Sequence, residues 1–193
     1  MEDDILKYLS GFTVITKEIK AAISESTIIR SFKKGTVLLR EGSVSNECYF
    51  ILKGCVRSYL LKNGEEKTIE FYTEQQALTP TVYGTSRPSA YYLECLEDTI
   101  ASVGNPELEK ETFQKYPGLA SLYGVIAEKA MAQQHDSFAQ FKSSTPEERY
   151  SNLLNTRPDL IQRVHQHQIA SYLGVKPESL SRIRKRIAGK RVS

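Results

Sequence analysis

Residues 164–187 read Val164-His165-Gln166-His167-Gln168-Ile169-Ala170-Ser171-Tyr172-Leu173-Gly174-Val175-Lys176-Pro177-Glu178-Ser179-Leu180-Ser181-Arg182-Ile183-Arg184-Lys185-Arg186-Ile187, and this stretch decides how the rest of the chain is read. Ile169, Ala170 and Leu173 recur at helical steps and lie on one face of a short helix. Gly174 follows, the residue that enters the left-handed conformation ending a helix without steric cost, and Val175 reads as a buried turn residue. Pro177 then restarts a helix, since a first turn does not need its missing N–H. The inner face of that second helix is Leu180, Ile183 and Ile187, and the small Ala170 lets it cross the first closely. Two short helices joined by a tight glycine turn, the second rich in Arg and Lys, spell a helix-turn-helix. An ordinary antiparallel helix pair would explain the apolar positions, but not the charge.

That charge is unevenly spread. The 193 residues are 40% hydrophobic and carry a net charge of +3. Residues 142–193 hold 11 Lys/Arg against 4 Asp/Glu, whereas residues 1–141 hold 15 against 19. A basic module behind a mildly acidic one is the pattern of a polyanion-binding segment. Helix geometry turns Glu178, Ser179, Ser181 and Arg182 outward from the N-terminal half of the second helix, the part that enters a DNA major groove. There Glu accepts from a cytosine amine, and Arg makes two hydrogen bonds to guanine. Lys185, with Arg184, Arg186, Lys190 and Arg191, suits phosphates, which give affinity without sequence information. Gln166 and His167 beside the first helix, and Lys176 before the second, complete the candidate DNA contacts. His165 and His167 are two apart, so helical spacing puts them on different faces, and phosphate contact is preferred to metal binding there. Lys176 is a poor N-cap, offset by Pro177.

Working toward the N-terminus, Thr145-Pro146-Glu147-Glu148 is a capping box that opens a domain, and Lys142-Ser143-Ser144 before it reads as a linker. Gly118 to Phe141 is compatible with one long helix. Leu119, Leu122 and Ile126 keep the spacing of a coiled-coil seam, but its continuation falls on Lys129 and Gln133, so a dimer seam and packing onto the chain's own domain both remain open. Pro106 opens a helical stretch interrupted by Pro117 and Gly118. Between Ile28 and Gly104, short β-type runs (36–39, 48–52, 56–61, 68–72, 91–93 and 99–103) are punctuated by Gly35, Gly42, Gly54 and Asn63-Gly64, the spacing of a small antiparallel sandwich or roll. Residues 1–27 read as helix from Ile5, Leu6, Leu9, Phe12, Ile15, Ile19, Ala22 and Ile23.

Several functions are disfavoured. Cys48, Cys55 and Cys95 show no CxxC spacing and read as buried small hydrophobes, so no metal or cofactor is expected. No apolar run reaches the ~18 residues of a membrane span, and the acidic start Met1-Glu2-Asp3-Asp4 is unlike a signal peptide, which points to a cytoplasmic protein without a membrane partner. A β-roll metalloenzyme needs two or three histidines in its barrel, and residues 28–104 contain none. No P-loop, HExxH, GxSxG or Cys-His-Asp set occurs, so no catalytic residue is expected.

A glycine-punctuated roll, a long helix, and a helix-turn-helix reading Ile169 to Val175 and then Glu178-Ser179-Leu180-Ser181-Arg182-Ile183 together resemble the Crp/Fnr family of bacterial transcription regulators, over nearly the whole chain. The resemblance implies an α+β protein, with an N-terminal antiparallel β-roll of the jelly-roll, cyclic-nucleotide-binding type, a long dimerisation helix, and a C-terminal helix-turn-helix domain. Its wing is expected to be reduced or absent, because six residues follow Ile187. The expected divisions are 1–116, 117–144 and 145–193. The resemblance also implies that Glu178, Ser181 and Arg182 read bases in each half of a palindromic site. Double-stranded DNA, a second copy of the chain and RNA polymerase are the corresponding partners.

The resemblance weakens at the effector pocket. Cyclic-nucleotide members hold ribose with a Gly-Glu pair and phosphate with an Arg-Ser or Arg-Thr about ten residues on. Here Leu78-Thr79 stands at the first position and Ser89 at the phosphate arginine, with Arg87 two residues early and followed by Pro88. A phosphate buried without its cation is poorly compensated, so tight binding of cyclic AMP or cyclic GMP is not expected. Thr79, Arg87 and Ser89 are the candidate effector residues, for an effector that the sequence does not name. The first 47 residues lack the cysteines of the iron–sulfur branch, and His135 on the long helix reads as solvated rather than as a haem ligand. Two alternatives stay open: a small-molecule sensor acting through protein contacts, and a regulator that still binds a cyclic nucleotide.

Overall fold

A computed structural model describes residues 1–190, with only the backbone at Lys190. The expected phosphate contacts Arg191 and the Lys190 side chain therefore lie outside the described residues. The chain forms two compact units: Met1–Ser58 with Phe71–Met131, and Tyr59–Glu70 with the residues from Ala132 onward.

In chain order the elements begin with α1 (Glu2–Ser10) and α2 (Lys17–Ser26), followed by strands β1 (Ile28–Phe32), β2 (Val37–Leu39), β3 (Cys48–Lys53), β4 (Val56–Lys62), β5 (Glu65–Tyr72), β6 (Ala77–Leu78), β7 (Tyr92–Cys95) and β8 (Thr99–Gly104), then by α3 (Pro106–Lys115) and α4 (Pro117–Ser143). The strands make two four-stranded sheets, ordered β1-β8-β3-β6 and β2-β7-β4-β5. Pairs β1–β8, β3–β8, β3–β6 and β2–β7 are antiparallel. This is the expected roll and the expected α+β class.

Strand β3 shows why the run Cys48 to Leu52 is apolar throughout. Successive side chains point to opposite faces of a strand. Tyr49 and Ile51 enter the core with Leu39, Val56, Leu78, Leu93, Cys95, Ala101 and Val103. Phe50 and Leu52 point the other way, onto a helical cluster of Ile5, Leu9, Ile19, Ala22, Ile23, Leu119 and Leu122. Cys55 and Cys95 are fully buried, and Cys48 is half-buried. Between β3 and β4 the backbone bends at Gly54, whose φ is +109°; a Cβ there would lie 2.6 Å from Thr99 Oγ1 and 2.8 Å from Thr99 Cα.

Three expectations are corrected. The N-terminal helix is two helices, because the Thr16 hydroxyl accepts from Ile19 N–H at 3.2 Å and so caps α2. Strands β1 and β6 join those expected. The long helix runs to Ser143 and absorbs most of the expected linker. Of the two readings of its apolar row, packing within its own unit is the one adopted: Leu119 and Leu122 are buried against α1 and α2, with Ile126 packed alongside. Lys129, where the row broke, places its ammonium 4.7 Å from the centre of the Phe12 ring.

The second unit contains the β4–β5 hairpin, the C-terminal part of α4, and helices α5 (Pro146–Thr156), α6 (Pro158–Arg163), α7 (Gln166–Tyr172) and α8 (Pro177–Lys190). The expected capping box opens α5: Glu148 N–H donates to Thr145 Oγ1 at 3.3 Å, and Thr145 N–H donates to Glu148 Oε2 at 2.7 Å. The core of the unit is Tyr150, Leu153, Leu160, Val164, Ile169, Ala170, Leu173, Leu180 and Ile183. Each large apolar side chain buried there contributes about 1.5–3 kcal/mol.

Candidate nucleic-acid interface

The turn between α7 and α8 forms as its sequence demands. Gly174 has φ +69°. Val175 N–H donates to Ala170 C=O at 2.9 Å, and Gly174 N–H donates to Ser171 C=O at 3.0 Å. This pair of bonds is a Schellman motif, which satisfies the last carbonyls of α7 and fixes the angle at which the chain leaves it. Ala170 is fully buried, Leu180 and Ile183 are buried beneath α8, and Ile187 and Val175 are half-buried. A Cβ on Gly174 would meet Arg149 Nη1 at 3.3 Å and Phe141 at 3.4 Å. Those two side chains pack as a cation–π pair, with the guanidinium carbon 4.2 Å from the ring centre.

With α8 anchored on Leu180 and Ile183, its other faces are open. Glu178, Ser181, Arg182 and Lys185 are exposed and spaced i, i+3, i+4, i+7, so they share one face. Lys176 is exposed just before the helix, where its carbonyl accepts from Leu180 N–H at 3.1 Å. Gln166 and His167 are exposed on the first turn of α7. Ser179 is only half-buried and turns toward an open groove that Arg182 shares with Pro146, Val175 and Ile183. Arg182 Nη2 donates to Ser179 Oγ across 3.4 Å.

Two details differ from the sequence reading. His165 and His167 stack, with ring centroids 5.7 Å apart and planes 13° from parallel. The spacing argument fails because His165 is the N-cap of α7, with extended backbone, rather than a helical residue. Arg186 is engaged within the protein, its Nε 2.9 Å from Glu147 Oε2.

Sequence reasoning also missed the hairpin's contacts. Thr68 N–H donates to Ser171 Oγ at 2.9 Å, and Ser171 Oγ donates to Glu66 C=O at 3.1 Å. Glu70 binds Arg157 at 3.0 Å and lies 3.5 Å from the Tyr172 hydroxyl. Burial, with the nearby Glu70 carboxylate, pushes the Tyr172 phenol up to about 12. No sequence signal marked Ser171, which lies on the side of α7 away from Ile169, Ala170 and Leu173.

The candidate effector residues sit in the first unit and offer little to an anion. Ser89 is 3% exposed, and its hydroxyl is used twice, donating to Tyr91 C=O at 2.8 Å and accepting from Tyr91 N–H at 3.2 Å. Its backbone is bonded to Ser43 and Gly42. Thr79 and Arg87 are exposed. A buried cation does occur elsewhere in the roll: Arg57 on β4 is 2% exposed and pairs with Glu94 at 2.8 Å. Nothing in the run Val56 to Leu61 distinguished it from a solvated arginine.

Comparisons with known proteins agree with this architecture. Residues 29–114 match the family model of the cyclic nucleotide-binding domain. Among curated proteins, none matches the chain significantly. The solved structures it resembles include the Crp/Fnr regulators FixK2, CLP and CooA. FixK2 from Bradyrhizobium japonicum is 20% identical with a TM-score of 0.66, 85% of each chain being covered. The cyclic di-GMP-responsive global regulator CLP of Xanthomonas campestris is 14% identical with a TM-score of 0.66, covering 88% of this chain and 90% of that one. A CooA mutant from Carboxydothermus hydrogenoformans is 13% identical with a TM-score of 0.67, covering 86% and 78%. The resemblance read from the sequence is thus borne out at the level of fold. Among the described residues, no helix is long and apolar enough to cross a membrane.

Proposed function

We propose that this chain is a sequence-specific DNA-binding transcription regulator of the Crp/Fnr type, acting in the cytoplasm as a homodimer on a palindromic site. The observation that carries this reading is the exposed face Glu178-Ser181-Arg182-Lys185 on a helix locked by a Schellman turn and a buried apolar underside. Glu178, Ser181 and Arg182 read base edges. Lys176, Lys185, Gln166 and His167 contact phosphates, while Ser179 steadies Arg182. The functional division is a sensor-like domain at 1–116, a linking helix at 117–144 and a DNA-binding domain at 145–193. RNA polymerase is the further partner of such a regulator. No catalytic residue, metal or cofactor enters the reading.

The dimer uses a different face of α4 from the one its leucines suggest. Leu119, Leu122 and Ile126 are spent inside the protein. Ala120, Gly124, Ala127, Met131, Gln134, Phe138 and Phe141 follow one another at alternating steps of four and three, the period of a coiled-coil seam. Met131 and Phe138 on that face are 73% and 61% exposed, a cost that a second copy of the helix relieves.

The effector pocket has lost its cyclic-nucleotide chemistry. Ser89 is committed to the backbone of Tyr91, and Arg87 faces solvent, so neither compensates a buried phosphate. Selection of bound duplexes from random DNA by the purified protein, with and without cell metabolites, tests the whole reading. A palindromic enriched sequence is expected. Absence of any enriched sequence, with retained binding to proteins, would favour a sensor that acts through protein contacts.

A further inference from the structure

Arg149 belongs to the basic C-terminal segment, where an arginine without a carboxylate partner reads at first as a phosphate contact. Its surroundings point elsewhere. It lies on α5, where its N–H donates to the C=O of the capping residue Thr145 at 3.0 Å, so the start of the helix fixes its position. Its guanidinium is stacked on Phe141 near the end of α4, 4.2 Å from the ring centre. Arg149 Nε is buried and has no hydrogen-bond partner among the described residues. A planar cation can be held on an aromatic face without a carboxylate, and the ring then covers one face of the guanidinium. Both side chains converge on Gly174: a Cβ there would lie 3.3 Å from Arg149 Nη1 and 3.4 Å from Phe141 Cζ. Gly174 is therefore needed twice, for its φ of +69° and for the room that it leaves. The Schellman bonds hold this turn through its backbone, with Val175 N–H on Ala170 C=O at 2.9 Å. The Arg149–Phe141 pair lies against the same turn from α5 and α4, where it limits how far α8 can swing.

We propose that Arg149 is a positioning residue for DNA recognition: stacked on Phe141, its guanidinium braces the Gly174 turn and so sets the angle at which α8 presents Glu178, Ser181 and Arg182. This rests on the reading of α8 as the recognition helix. Bidentate contacts to base edges tolerate little misalignment, whereas long flexible side chains reach phosphates over a wider range of poses. With the brace in place the turn is ordered before DNA arrives; without it, that ordering must be supplied on binding. Loss of the brace therefore lowers sequence discrimination and spares non-specific affinity, the reverse of losing a phosphate contact.

Arg149→Lys separates the two roles, because it keeps the charge and removes the planar fork. Fluorescence anisotropy of the full-length protein, with the selected duplex and a random duplex over a series of salt concentrations, measures the effect. The selected duplex should weaken by about two- to fivefold per half-site, the equivalent of a partly exposed cation–π contact, with random-duplex affinity and salt slope unchanged. Arg149→Met should lower the ratio of the two affinities at least as far, while its salt slope falls by much less than the roughly 0.9 per half-site of a lost phosphate contact. Phe141→Leu should lower the ratio too, and Arg149→Lys should then add little. Phe141 also ends the row proposed as the dimer seam, so the Arg149 variants, which leave α4 unaltered, decide the outcome. An unchanged ratio for Arg149→Lys overturns the brace, and a lowered melting temperature beside it would mark Arg149 as merely structural. Equal weakening of both duplexes by Arg149→Met, with a slope lower by about 0.9, would make Arg149 a phosphate contact instead. Failure of the unmodified protein to bind any duplex would refute the regulator reading rather than the brace.

Discussion

Replacing Arg182 by alanine separates sequence reading from charge. The side chain is exposed, and its hydrogen bond to Ser179 is long at 3.4 Å, so truncation removes little from the folded state. Stability should hold to within about 0.5 kcal/mol, the range of surface substitutions. A bidentate arginine–guanine contact contributes about 1–3 kcal/mol of discrimination. A palindrome engages two copies, so the loss on the cognate duplex is about 2–6 kcal/mol, or roughly 30-fold to 10⁴-fold in affinity. On a random duplex the variant loses one charge per subunit and little else. Lys185→Ala is the companion: it should weaken all duplexes alike and lower the salt slope by about 1 per half-site. Fluorescence anisotropy with the selected palindrome and a scrambled duplex, over a series of salt concentrations, measures both. Equal losses on the two duplexes for Arg182→Ala, or a changed specificity ratio for Lys185→Ala, would refute the assignment of these residues.

Met131→Glu places a charge on the proposed α4 seam and should convert the proposed dimer to monomer in sedimentation, leaving the far-UV circular dichroism intact. Gly54→Ala forces a side chain at φ +109° against the Thr99 backbone and should cost about 2–5 kcal/mol in urea denaturation, from backbone strain and overpacking together. Calorimetric titration with cyclic AMP or cyclic GMP should show no binding in the micromolar range. The Glu148 carboxyl is lowered from its ordinary 4.5, first by the Thr145 backbone N–H and then by the Thr145 hydroxyl. A folded-state value below the unfolded one means that its contribution is present above 4.5 and lost as pH falls through the folded value. Thermal melts from pH 6 downward should therefore fall less steeply for Glu148→Gln than for the unmodified protein.

Local chemistry made much of the fold legible. Gly174 had to leave the helical region because only there can the chain turn between two helices, and Thr145 with Glu148 closes a capping box within four residues. Both signals are complete within one turn of chain. The misses have a different origin. β6 is two residues long and too short for any period. β1 has only exposed and half-buried positions and no strict alternation, so Ile28 to Phe32 lacks the contrast of a core strand. On α4 two apolar rows overlap, and which one is internal depends on α1 and α2, residues a hundred positions away.

The same distinction governs the interface. Exposure of Glu178, Ser181, Arg182 and Lys185 follows from Leu180 and Ile183 being apolar at helical spacing, so that face could be read directly. The charge count could not be read so directly, because it treats every cation as available. Arg157 is taken by Glu70, Arg163 by Asp159 and Arg186 by Glu147, while Arg149 lies on the Phe141 ring. Asp159 and Phe141 are close in sequence to the arginines they engage, but Glu147 lies 39 residues before Arg186 and Glu70 comes from a strand 87 residues before Arg157. The basic excess of residues 142–193 is therefore not spread over the domain. Among the described residues, the exposed cations assigned to the proposed DNA contacts lie along α8 and at Lys176.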